Sequence, residues 1–149
     1  MRQRAAVLSG VALLVTLALA SSPTEAQFNP CDPANCPVGC NQIFGTAGND
    51  VITGTAGCDC IYGSGGNDCL YGGSGDDILC GGDGIDLLRG DGGTDKSYGE
   101  AGNDQLCTET QDGGAGTDWC QLPATLDDFN CENWRTGCPK CADLLGTEP

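Results

Sequence analysis

The sequence predicts an all-β fold: a parallel β-roll (β-solenoid) of nine-residue repeats with disulfide-bonded N- and C-terminal caps. Three observations predict it. A nine-residue unit is written seven times without a gap over residues 44–106, and an eighth copy spans residues 112–120 after a five-residue interruption. Three positions of the unit never vary through the eight copies: glycine at the second, glycine at the fifth and aspartate at the seventh. All 12 cysteines lie after Ala26, around and inside the repeats. A flexible Gly/Asp-rich linker keeps composition but not phase, so the fixed period excludes one.

The chain then divides in order. Residues 1–20 read as a signal peptide, with cleavage as late as residue 26. Arg2 and Arg4 precede an apolar run that is short for a membrane span and ends in Ala18-Leu19-Ala20, with Thr24-Glu25-Ala26 as a second cleavage site. Residues 27–43 hold Cys31, Cys36 and Cys40 among Pro30, Pro33 and Pro37, without helical or strand periodicity, and read as an N-terminal cap on the first coil. Residues 44–120 are the repeats. Residues 121–149, with Cys131, Cys138, Cys141, Phe129 and Trp134, read as a C-terminal cap. Cys138-Pro139-Lys140-Cys141 is a C-x-x-C without βαβ surroundings, which makes its cysteines structural.

Each unit splits into a six-residue loop, from the first glycine to the aspartate, and a three-residue strand. The loop glycines, Gly45, Gly54, Gly63, Gly72, Gly81, Gly90, Gly99 and Gly113 at position two, and Gly48, Gly57, Gly66, Gly75, Gly84, Gly93, Gly102 and Gly116 at position five, allow backbone angles closed to other residues. In each strand the middle residue points one way and its flanks the other. The middle residues are Ile52, Ile61, Leu70, Leu79, Leu88, Ser97, Leu106 and Cys120. Two units make one turn, strand n stacks on strand n+2, and the middle residues form one thin apolar column.

That stacking also brings the aspartates, Asp50, Asp59, Asp68, Asp77, Asp86, Asp95, Asp104 and Asp118, into columns. Like charges in a column repel, so a cation must sit between the loops. Carboxylates and turn carbonyls make an all-oxygen site. Such a site suits Ca²⁺ better than Mg²⁺, which keeps its waters and demands a stricter octahedron.

The unit resembles G-G-x-G-x-D-x-U-x, the RTX or hemolysin-type calcium-binding repeat, over about 72 of the 149 residues. The resemblance implies a Ca²⁺ between loops n and n+2, held by the two aspartates and by backbone carbonyls of the loop glycines. The seven unbroken copies then give about five sites: Asp50/Asp68, Asp59/Asp77, Asp68/Asp86, Asp77/Asp95 and Asp86/Asp104. A sixth, Asp95/Asp118, depends on how the interruption loops out. At position three, where the pattern has a second glycine, this chain has Thr46, Thr55, Ser64, Asp91 and Glu100, at some conformational strain. The cysteines are a further departure from the large members of the family.

Twelve cysteines in a short exported chain read as disulfides. Cys60, Cys69, Cys80 and Cys107 flank core residues and should point outward, none directly opposite another. They are expected to pair with cap cysteines or loop cysteines such as Cys58. The expected grouping is two sets of six, N-terminal (Cys31, Cys36, Cys40, Cys58, Cys60, Cys69) and C-terminal, with no bond from before Leu70 to beyond Leu79.

Net charge is −15, and −17 without Arg2 and Arg4, which disfavours nucleic acid and anionic membrane as partners. After signal cleavage nothing is left to insert in a membrane. There is no histidine, and the segments outside the repeats are too short for a catalytic domain, so an enzyme is not expected. The reading is a secreted, extracellular calcium-binding protein whose roll folds on or is stabilised by the ion, with a protein or cell-surface partner left open. The alternative is a disulfide-stabilised extracellular structural or adhesive protein with calcium secondary.

Overall fold

A computed structural model describes residues 28–108, 110–121, 133–135 and 141. The signal-peptide reading and most of the C-terminal cap, with Cys131 and Cys138, lie outside the described residues. The strands are β1 (Asn41–Phe44), β2 (Val51–Thr53), β3 (Asp59–Gly65), β4 (Cys69–Ser74), β5 (Ile78–Asp83), β6 (Leu87–Gly92), β7 (Lys96–Ala101), β8 (Gln105–Cys107), β9 (Thr110–Asp112), β10 (Trp119–Gln121) and β11 (Asn133–Arg135). As far as β10 they alternate between two parallel sheets, ordered β1-β3-β5-β7-β9 and β11-β10-β8-β6-β4-β2. The fold is therefore a β-solenoid in which, within β1 to β10, each strand stacks on the next but one, and β11 stacks on β10.

The register follows the period. Ile61 pairs with Leu79 and Leu70 with Leu88, each eighteen residues apart. Ile61, Leu70, Leu79 and Leu88 are fully buried in one column, with Ile43 and Ile52 packed at its N-terminal end. Ile43 belongs to β1, ahead of the first recognised unit, so the roll begins one strand earlier than the repeat pattern does. At the other end Ser97 fills its core position, buried, with its Oγ 2.7 Å from Thr108 Oγ1.

The five-residue interruption is itself a unit with its loop cut down. Its strand β9 stacks on β7, and buried Gln111 takes the core position above Ser97, donating from Nε2 to the Thr108 carbonyl at 2.8 Å. Two-unit turns thus continue through it, and β10 stacks on β8 with Cys120 on Leu106.

The outward cysteines stand opposite the expected neighbours: Cys60 against Ile78, Cys80 against Tyr62 and Tyr98, Cys69 against Val51 and Leu87, Cys107 against Arg89. Their disulfides differ from the expected grouping. Cys31 bonds Cys80, Cys36 bonds Cys60, Cys40 bonds Cys58 and Cys69 bonds Cys141. Cys107 and Cys120 are disulfide-bonded as well. The Cys31–Cys80 and Cys69–Cys141 bonds both cross the divide at residues 70–79 that the grouping forbade.

For Cys31–Cys80 the physical reason lies in where the lead-in runs. Residues 28–40, with one 3-10 turn at Pro33–Asn35, lie along the outer face of the first sheet and not across its end. Cys31, Cys36 and Cys40 pack there against Cys60, Tyr62, Cys80, Ile78 and Tyr98 as a second apolar cluster. A strap along a face reaches strands from several turns, whereas a cap reaches only the first.

Candidate metal centre

The position-seven aspartates form two columns, buried except at Asp50. One runs Asp50, Asp68, Asp86, Asp104, Asp118; the other runs Asp59, Asp77, Asp95. Within each column the backbone N–H of one aspartate donates to Oδ1 of the aspartate one turn on, at 2.7–2.9 Å. All five pairs expected from the unbroken copies are brought together. The sixth differs: Asp118 stands beside Asp104, not Asp95, because the contracted unit shortens that spacing to fourteen residues.

A second ladder runs beside the first and was not singled out in the sequence. Asn49, Asn67, Asp76 and Asn103, at position six, each accept through Oδ1 a backbone N–H from the same position one turn on, at 2.8–3.0 Å. The signal for it was present, since four of the eight position-six residues are Asn or Asp.

The other carboxylate oxygen divides the columns. Oδ2 of Asp68, Asp77, Asp86 and Asp104 is buried and accepts no hydrogen bond. In the first two units it is satisfied. Asp50 Oδ2 accepts from Thr46 N–H at 2.6 Å and from Thr46 Oγ1 at 2.9 Å; Asp59 Oδ2 accepts from Thr55 N–H at 2.6 Å and Thr55 Oγ1 at 3.0 Å. Asn41, at the aspartate position ahead of Asp59, adds an amide N–H to Asp59 Oδ1 at 2.8 Å.

The loops differ accordingly. Ser64, Asp91 and Glu100 take φ of 82°, 71° and 72°, the strain expected of non-glycine residues there, whereas Thr46 and Thr55 are not in the left-handed region. Gly66 at position five takes φ of 103°, but Gly48 and Gly57 do not need such angles. Position-two glycine is required for space and not for φ. A Cβ on Gly63 would lie 2.5 Å from both Asp68 Oδ2 and the Gly81 carbonyl oxygen. That crowding makes a cradle of one carboxylate oxygen and one carbonyl oxygen, repeated at Gly72, Gly81 and Gly99.

Burial pushes these carboxyls up. Asp77 is raised to about 6, Asp86 to about 7 and Asp104 to about 8, and Asp68 is also raised. Desolvation is the main cause; the neighbouring carboxylates add to it and the ladder hydrogen bond opposes it. Among the described side chains, protein cations do not answer this charge. Arg89 and Lys96 are the basic residues among the described side chains, and Arg89 pairs with Asp91 at 2.6 Å. Among the described residues no three Cys, Asp or Glu side chains converge as a ready metal cluster. An ion here must therefore take a carboxylate pair plus main-chain carbonyls. The orphaned oxygens and glycine carbonyls are hard donors that fit Ca²⁺.

No helix among the described residues is long and apolar enough to cross a membrane. The family model of the RTX calcium-binding nonapeptide repeat (four copies) matches residues 44–79 and 71–106. No curated protein and no solved structure matches the chain.

Proposed function

Because residues 44–106 belong to the RTX calcium-binding nonapeptide repeats, we propose that this chain is a secreted calcium-binding β-roll that the ion stabilises from its third unit onward. One observation carries the reading: the buried, unpartnered Oδ2 atoms of Asp68, Asp77, Asp86 and Asp104. A buried carboxylate without a partner costs several kcal/mol, of order ~3–5, and a divalent cation removes that cost. The residues that would hold Ca²⁺ are these aspartates with Asp95 and Asp118, together with loop carbonyls such as those of Gly81 and Gly99. Asp50 and Asp59 are already satisfied by Thr46 and Thr55, so the first two loops hold their carboxylates without an ion.

Disulfides supply the remaining support. Three bonds fasten the strap to the first sheet, which favours a division of labour: cross-links for the N-terminal turns, calcium for the later ones. Twelve cysteines, ten of them disulfide-bonded among the described residues, agree with export to an oxidising compartment. The aspartates serve as ligands and not as an acid–base pair, and the chain acts as a binding module without an enzymatic role. Melting of the oxidised protein followed by circular dichroism tests the reading. Ca²⁺ should raise the transition well above that in chelator, and equal Mg²⁺ should raise it much less. Identical melts in Ca²⁺ and chelator would refute it.

A further inference from the structure

Position three of the unit is glycine in the repeat pattern, and here β7 carries Glu100 there. Glu100 takes φ of 72°, a left-handed angle that glycine adopts without strain and glutamate does not. The place where this strain is kept lies against two orphaned carboxylates. Asp86 and Asp104 are 0% exposed, and Oδ2 of each accepts no hydrogen bond. Gly99, next to Glu100, adjoins both. A Cβ built on Gly99 would press on Asp104 Oδ2. A Cβ built on Gly81 would press on Asp86 Oδ2 and would lie 2.8 Å from the Gly99 carbonyl oxygen. The Gly99–Glu100 peptide therefore stands beside both buried oxygens.

In the register of the sheet Glu100 pairs with Gly82, the residue before Asp83. Its side chain is exposed and borders a cavity with Tyr98 and Asp112. Among the described residues no cation pairs with it. Its charge reaches inward all the same. After burial and the neighbouring aspartates of the column, Glu100 is a further cause of the raised Asp86 and Asp104 carboxyls. Asp91, the other acidic residue at position three, differs, because its carboxylate is answered by Arg89 at 2.6 Å.

We propose that Glu100 sets the affinity of the ion site between Asp86 and Asp104, adding a third carboxylate charge to the two that the aspartate pair supplies. The proposal rests on the calcium-binding reading above and goes beyond it by ranking the sites. Two aspartates balance a divalent ion, and a third uncompensated negative charge beside them holds it more strongly. Without the ion the same charge only repels its neighbours. Glu100 therefore weakens the empty roll and tightens the filled one, which an uncharged residue in the same place would not do.

Calorimetric titration of Ca²⁺ into the oxidised protein tests this, with Glu100→Gln and Glu100→Asp as variants. Circular dichroism in Ca²⁺ checks that each variant is folded. Wild type should bind one ion more tightly than the others. Glu100→Gln should weaken that ion by roughly tenfold, and Glu100→Asp, which keeps the charge, should hold it within about threefold. In chelator Glu100→Gln should melt above wild type, since it loses the repulsion and keeps the backbone, so its effects without and with the ion have opposite signs. Calcium binding by Glu100→Gln that matches wild type would overturn the proposal and leave the calcium reading standing. Equal losses in the two variants would do the same, because they would assign the effect to side-chain shape and not to charge. A wild type that takes up no calcium would overturn both.

Discussion

Oγ1 of Thr55 lies 3.0 Å from Oδ2 of Asp59, in the place where Asp68, Asp77, Asp86 and Asp104 leave that oxygen unpartnered. Thr46 stands in the same relation to Asp50 at 2.9 Å. In both loops a side-chain hydroxyl and a backbone N–H do for the carboxylate what a cation would do in the other loops. Asp50→Asn and Asp59→Asn should therefore leave the number of bound calcium ions unchanged, while Asp86→Asn should lower it. Equilibrium dialysis against radioactive calcium distinguishes these outcomes. Equal losses from Asp59→Asn and Asp86→Asn would show the threonines to be incidental.

The raised carboxyl pKa values fix the sign of a pH dependence. Without calcium the folded state keeps protons on Asp77, Asp86 and Asp104 that the unfolded chain has already released. Their contribution to stability is fully present below the ordinary aspartate value of about 4. It is lost as pH rises through about 6, 7 and 8 in turn. In chelator the melting temperature should fall between pH 5 and pH 8 by this linkage. In calcium the fall should vanish or reverse, because ion binding requires the ionised carboxylates. Melts at several pH values, with and without the ion, check the sign.

Glycine at position two and glycine at position five should fail for different reasons. Gly63→Ala places a methyl against Asp68 Oδ2 and the Gly81 carbonyl, so it should cost about 1–3 kcal/mol and also weaken calcium binding at that loop. Gly66→Ala meets backbone of the neighbouring loop and sits at φ of 103°, so it should destabilise the fold by at least about 1 kcal/mol. Denaturant unfolding and calcium titration of the two variants separate the loss at the calcium cradle from the loss in loop packing and backbone conformation.

The strap predicts a connectivity that peptide mapping can read. Non-reducing digests should yield Cys31–Cys80, Cys36–Cys60, Cys40–Cys58 and Cys69–Cys141. Replacing both Cys69 and Cys141 by serine should cost about 2–5 kcal/mol, the usual loss for a native disulfide in a small domain. Recovery of Cys31, Cys36 or Cys40 in a different pair would refute the strap as described.

The period made much of this fold legible. Position nine of each unit foretold the core column, position seven the stacked aspartates, and the flanks the outward cysteines. What was hidden has physical reasons. The unit at residues 107–111 lost its loop and kept only its strand, with polar Gln111 in a core position, so neither the glycine pattern nor hydrophobicity betrayed it. The pair Asp104/Asp118 follows from that contraction alone. Thr46 and Thr55 read as tolerated substitutions for glycine, because their role depends on where the aspartate side chain folds back within the same loop. The disulfides of Cys31, Cys36 and Cys40 depended on the path of a strap without periodicity, which sequence spacing does not encode.

Calorimetric titration of Ca²⁺ into the oxidised protein tests the central claim most directly. The four buried carboxylate oxygens without partners predict at least four ions per chain and a heat that appears at or below millimolar calcium. Binding should coincide with a gain in β signal by circular dichroism. No heat, and no change in β content or melting, up to about 10 mM calcium would contradict it, because that lies beyond the weakest extracellular calcium modules.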